Sequence, residues 1–156
     1  MTAPRTISSA ALPIAAALIA TLCLAGCRAQ PAQPQVTIRA HTWRVDLALT
    51  PQQCFQGLSG VTNLPAGRGM LFIFPDSALR AFCMRGCYIP LDIAFLDDRL
   101  RVVHTATMAV EPDRAGRVVY ASQLPAKYAL EVPAGALSAA GVAPGDHAAF
   151  TGPIPR

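Results

Sequence analysis

Ile89-Pro90-Leu91-Asp92-Ile93-Ala94-Phe95-Leu96-Asp97-Asp98-Arg99-Leu100-Arg101-Val102-Val103-His104-Thr105-Ala106-Thr107-Met108 is the stretch on which the fold turns. An apolar run, residues 89–96, meets three polar residues and is followed by a second run, residues 100–108, rich in β-branched side chains. Such side chains suit a pleated surface, and Asp97-Asp98-Arg99 supplies turn chemistry, so the stretch predicts a β-hairpin. Side chains alternate across a strand. Leu91, Ile93 and Phe95 therefore share one face, and Asp92, Ala94 and Leu96 the other.

The flanking sequence repeats the theme in short pieces. Residues 35–40 and 43–49 read as strands joined at His41-Thr42, the second alternating through Trp43, Val45, Leu47 and Leu49. Thr50-Pro51-Gln52-Gln53 starts a short helix, with Thr50 as cap, Pro51 at the first helical position and Gln53 closing a capping box. On that helix Thr50, Phe55 and Leu58 suggest a face packed on the sheet, with Cys54 buried beneath it. Residues 70–74 read as a buried strand ended by a turn at Pro75-Asp76-Ser77. Further strands are expected at 81–84, 127–132 and 147–150, with a helical turn at 137–140 stopped by Gly141 and a loop around 112–116. The predicted class is mostly β (α+β): one compact domain, its antiparallel-rich sheet curling into a small barrel or sandwich with one or two short helices. With 14 Pro and 11 Gly, the composition agrees with short elements and many turns.

Residues 1–26 read as a lipoprotein signal peptide: Arg5 before an apolar run, which ends in Leu24-Ala25-Gly26-Cys27. Small residues before the cysteine admit a peptidase, and Cys27 would take the lipid; two or more acyl chains make such anchoring stable. Residues 27–34 form a flexible tether of Ala, Gln and Pro, and 35–151 the β-rich domain. Arg28, standing where Asp would favour inner-membrane retention, points to the periplasmic face of the outer membrane. The formal charge of +4 comes from singly placed arginines without interleaved aromatics, which argues against nucleic acid as a partner. The expected partners are the membrane, through the anchor, and an envelope protein or a small-molecule ligand.

Six segments, in order, resemble the domain of unknown function 192 family, also called uncharacterised protein family 0127. Residues 50–58 (TPQQCFQGL) are similar to its T-x-x-E-x-x-x-G-L-M helix, and 69–74 (GMLFIF) to its G-M-L-F-x-F strand. Residues 82–87 (FCMRGC) stand where F-W-M-K-N-T is usual, and 89–95 (IPLDIAF) resemble I-P-L-D-x-x-F. Residues 129–135 (ALEVPAG) resemble V-L-E-x-x-A-G, and Gly141 to Asp146 the closing G-x-x-x-G-D. The resemblance implies a compact mostly-β fold, frequent export or membrane attachment, and no assigned chemistry. Here Ser59 replaces the Met of the first motif, and Cys83 and Cys87 replace the Trp and Thr of the third.

Two carboxylates interrupt apolar strands, Asp92 and Glu131, each needing partners if half-buried. In one reading they face a common polar pocket with Arg85, as acid and base or as ligand anchors. In the other each pins a turn or an arginine, drawing on Arg85, Arg68 or the N–H groups near Gly135. No nucleophile stands beside them: Ser122 and Ser138 lie in no elbow sequence, and His41, His104 and His147 are isolated. The leading reading is a non-catalytic envelope accessory or binding module; a small hydrolase using Asp92 and Glu131 is the last of three, so the balance leans against catalysis, and no cofactor is implied. Because unpaired Cys is disfavoured in an oxidising compartment, the paired replacement suggests a Cys83–Cys87 disulfide closed by a turn at Gly86. A thiol or copper-handling protein is the alternative, with Cys83, Met84 and Cys87 as soft ligands and Met70 or His104 nearby.

Overall fold

The computed structural model describes Thr2 and residues 32–155; the remainder of the expected signal segment, Cys27 and most of the tether lie outside these residues. In chain order the elements are β1 (Gln35–Ile38), β2 (His41–Ala48), α1 (Pro51–Gln56), β3 (Arg68–Ala78), β4 (Ala81–Cys83) and β5 (Leu91–Leu96). Then follow β6 (Val102–Met108), β7 (Val119–Ala121), β8 (Ala126–Pro133), α2 (Ala136–Ala139) and β9 (Ala148–Thr151). Seven strands form one sheet in the order β6-β5-β8-β3-β2-β1-β9, and β4 pairs with β7 in a separate ribbon. The mostly-β class with two short helices is as expected.

The sheet curls until its ends approach each other. An isolated bridge joins Arg101 to His147, and Val102 N–H donates to the Asp146 carbonyl at 2.8 Å while Ala148 N–H donates to Leu100. Asp146 braces the β9 side of this seam: its carboxylate accepts from the Arg39 guanidinium at 2.7 Å and from Ala143 N–H at 2.9 Å. Hydrogen bonding to Arg39 is the main reason the Asp146 carboxyl sits below the usual carboxylate range.

The hairpin that decided the fold is present, β5 pairing antiparallel with β6. Asp97 makes its turn, its Oδ1 accepting from Arg99 N–H and Arg101 N–H at 2.9 and 2.8 Å, while Leu100 carries a φ of 62°. The capping box of α1 is complete: Thr50 Oγ1 accepts from Gln53 N–H, and Gln53 Oε1 accepts from Thr50 N–H. Other expectations need correction. The first turn falls at Arg39-Ala40, with Arg39 at φ 54°, and not at His41-Thr42. Pro75-Asp76-Ser77 does not end β3; the strand continues through it with a shift of register, the place where a proline is tolerated. β7 had no expectation at all. Within an otherwise antiparallel sheet β2 and β3 run parallel, since α1 and the loop after it form a crossover long enough to return the chain. Phe55, expected against the sheet, is 71% exposed, and α1 buries no residue.

Every residue of β5 is buried, so both faces of the sheet are covered along this strand, one in from the β6 edge. On one face Ala94, Leu96, Tyr128, Leu130 and Val132 join Trp43 and the Leu137 side chain of α2. On the other, Ile93, Phe95, Phe72 and Ala129 meet Met84, Cys87 and Leu58 from the loops and the region after α1. Gly69 lets β3 and β8 approach here, because a Cβ at this position would lie 2.5 Å from the Glu131 carbonyl oxygen.

Candidate functional site

Asp92 and Glu131 lie on neighbouring strands but on opposite faces of the sheet. Cross-strand partners share a face, and β5 pairs with β8 so that Ile93 stands opposite Glu131 and Asp92 opposite Val132. The common polar pocket of Asp92, Glu131 and Arg85 is therefore not formed. The one-residue offset in register decides this, as it would for any pair of side chains with period two.

Asp92 is 2% exposed and fully engaged. Thr107 Oγ1 donates to its Oδ1 at 2.7 Å across the β5–β6 pair, and the backbone N–H of Leu137 donates to Oδ2 at 3.0 Å. The second bond ties the start of α2 to the sheet. Asp92 borders a cleft of about 260 Å³ with Thr105, Thr107 and Ser138, separate from the site described next. One N–H near Gly135, that of Leu137, is thus a partner of Asp92, as one reading anticipated, while Arg68 instead pairs with Asp46 at 3.1 Å.

Glu131 is 5% exposed and borders a cavity of about 310 Å³ on the other face. Among the described residues every fully enclosed side-chain N or O atom has a hydrogen-bond partner. No described residue donates to the Glu131 carboxyl, so its oxygens open on the cavity. Burial alone pushes its pKa up to about 8. The aromatic wall comes from Phe72, Phe74 and Phe82, the last meeting Phe72 edge-on at 5.0 Å. Arg85 lines the same cavity. It stacks on the Phe55 ring at 3.8 Å and donates from Nη2 to the Phe55 carbonyl at 2.6 Å. Two backbone bonds and one side-chain bond fix its turn: Gly60 N–H donates to the Gly86 carbonyl, Gly86 N–H to the Arg114 carbonyl and Ser59 Oγ to the Arg85 carbonyl. Ser59, the departure from the family's Met, is thereby accounted for.

Three cysteines border this cavity too: Cys83 and Cys87, four residues apart, and Cys54 from α1. All three are free thiols, so the expected Cys83–Cys87 disulfide is absent from the structure. The turn at Gly86 does form, with φ 66° and Cys87 N–H bonded to the Met84 carbonyl at 3.1 Å. Burial, with smaller contributions from the Glu131 and Cys83 charges, pushes the Cys87 thiol up to about 11, and burial also raises Cys54. Protonated thiols are weak nucleophiles and weak metal ligands at neutral pH. Met84 is fully buried in the core away from the cavity, and His104 stacks on Phe95 at 6.3 Å. Among the described residues no three His, Cys, Asp or Glu side chains are grouped closely enough to hold a metal ion. Of the proposed soft ligands Cys83, Met84 and Cys87, the two thiols border the cavity and Met84 does not. The approach of Cys54 to the other thiols had no signal in the sequence beyond its place on a helix beside the sheet.

Residues 34–150 match a family profile described as DUF192, uncharacterized ACR. The chain belongs to the DUF192 family. This agrees with the resemblance carried by the six motifs. Two solved structures share the fold. One, from Sinorhizobium meliloti, is described as a proposed transcription regulator; it is 29% identical over 77% of this chain and 95% of its own, with a TM-score of 0.70. The other, from Novosphingobium aromaticivorans, is a protein of unknown function; it is 30% identical over 74% of this chain and 83% of its own, with a TM-score of 0.68. No curated protein matches the chain. In DUF192 terms, the I-P-L-D aspartate here secures α2, the L-E glutamate borders the cavity, and the closing G-D aspartate binds the barrel seam.

Proposed function

We propose that this DUF192 protein is an exported, lipid-anchored, non-catalytic binding module of the cell envelope, and that its ligand site is the cavity above Glu131. One observation carries the ligand site: a buried carboxyl that no described residue bonds and that opens on a 310 Å³ space. Burying such a group costs stability unless a partner compensates, so its retention favours a role in binding over a role in folding. A paired acid–base mechanism finds no support, because Asp92 and Glu131 are on opposite faces and Asp92 already holds two donors. The description of the Sinorhizobium relative is not carried over. Arg39, Arg68, Arg80 and Arg117 pair with aspartates, which disperses the positive charge that a nucleic-acid surface would concentrate.

The anchor rests on Leu24-Ala25-Gly26-Cys27, with Arg28 favouring the outer membrane. Among the described residues no helix is long and apolar enough to cross a membrane. Cys27→Ser should move the protein from the membrane fraction to an unprocessed or soluble form and abolish incorporation of labelled fatty acid. Unchanged partition with no label in the wild type would reject the lipid anchor. For the site, a fragment screen followed by amide NMR shifts should produce perturbations centred on Glu131, Cys87 and Phe82. Fragments that bind only elsewhere, or none that bind, would remove the cavity as a ligand site.

A further inference from the structure

The cavity is lined by a carboxyl and a guanidinium that do not pair with each other. Glu131, 5% exposed, lines it with no donor, and Arg85 lines it with no carboxylate. The ion pairs among the described residues engage Arg39, Arg68, Arg80 and Arg117. Arg85 commits one nitrogen to a backbone carbonyl, leaving most of its five N–H donors available. The remaining titratable side chains facing the space are the thiols of Cys54, Cys83 and Cys87, which give Glu131 no cation. Phe72, Phe74 and Phe82 line the same cavity, and aromatic rings attract cations, as the Arg80 guanidinium 4.1 Å over Phe74 illustrates.

We infer that the cavity takes a small zwitterion of the amino-acid or betaine class, its ammonium seated on Glu131 against the phenyl wall and its carboxylate on Arg85. This inference rests on the reading of the cavity as a ligand site and names the ligand class. An ammonium supplies what desolvation denies the carboxyl, a charge partner within the same cavity. The guanidinium of Arg85 offers a carboxylate paired donors in a fixed plane. With the Glu131 carboxyl raised to about 8, seating a cation displaces its proton. Binding at pH 7 therefore releases close to one proton per ligand, and affinity improves by about tenfold between pH 7 and pH 9.

The test is calorimetric titration of the full-length protein in detergent with glycine betaine and with γ-aminobutyrate. Tetramethylammonium and butyrate serve as single-charge controls, and buffers of different ionisation enthalpy count the protons. The expected result is that a zwitterion binds at least tenfold more tightly than either control, releasing a proton. Glu131→Gln should abolish the proton release, and Arg85→Gln should reduce the zwitterion to the affinity of the ammonium control. Equal binding of zwitterion and tetramethylammonium, or binding without proton release, would overturn the inference. Absence of zwitterion binding while NMR fragments occupy the cavity would overturn the ligand class and spare the site. Absence of both would overturn the site as well.

Discussion

Raising the pH from 4.5 to 8 should cost the domain stability, and Glu131→Gln should remove that loss. The carboxyl has its ordinary value of 4.5 in the unfolded chain and about 8 in the folded one. Below pH 4.5 both states hold the proton, and the group makes no demand on folding. As the pH rises, the unfolded chain releases its proton first and is favoured, until the folded state also ionises near pH 8. The stability present at low pH is thus lost across that window, on the order of 5 kcal/mol at about 1.4 kcal/mol per pKa unit. Urea denaturation at half-unit pH steps would measure it. Asp76, Glu111 and Asp146 act in a different window: their carboxyls are held low by hydrogen bonds, so their contributions are lost as the pH falls below 4. A wild-type curve flat between pH 5 and 8, or a Glu131→Gln curve with the same slope, would show that Glu131 is not the buried unpaired acid described.

Much of the architecture follows from local chemistry that can be read along the chain. The 89–108 hairpin, the capping box at Thr50 and the alternation within β5 and β8 are all local, and each appears in the structure. Long-range relations account for the failures. The faces of Asp92 and Glu131 were correctly read within their own strands, but which faces coincide depends on register between strands some 40 residues apart. Cys54 reaches the same cavity as Cys83 and Cys87 only because α1 and the β4 region cover one sheet face. Phe55 illustrates the limit of helix periodicity: a six-residue helix does not fix its buried side, and a guanidinium stacked on the ring offers an exposed alternative to the core. Pro75 was legible as a strand breaker but not as a bulge, since that outcome depends on the β8 partner.

Asp92→Ala should destabilise the domain by about 3 kcal/mol or more, and Asp92→Asn by about 1–2 kcal/mol. In alanine two donors lose their acceptor at once: the Leu137 N–H, in a buried bond, and the Thr107 hydroxyl. Water does not readily replace the acceptor of the Leu137 N–H, because Leu137 is 4% exposed and packs in the same core as Trp43, Leu130 and Val132, whereas the Thr107 hydroxyl borders the cleft and can turn to water. Asparagine keeps a carbonyl oxygen for Leu137, and the Thr107 hydroxyl can rotate to accept from its amide, so only the charge assistance is lost. Because α2 has four residues, it has little cohesion apart from this tether and the burial of Leu137. Hydrogen exchange should accordingly report the damage locally, with Leu137 and Ala140 losing protection in Asp92→Ala before the β5–β8 amides do. If the alanine variant is as stable as wild type, or the Leu137 amide keeps its protection, then Asp92 does not hold the helix. The polar cleft beside it, lined by Thr105, Thr107 and Ser138, would then be the place to look for a role in binding.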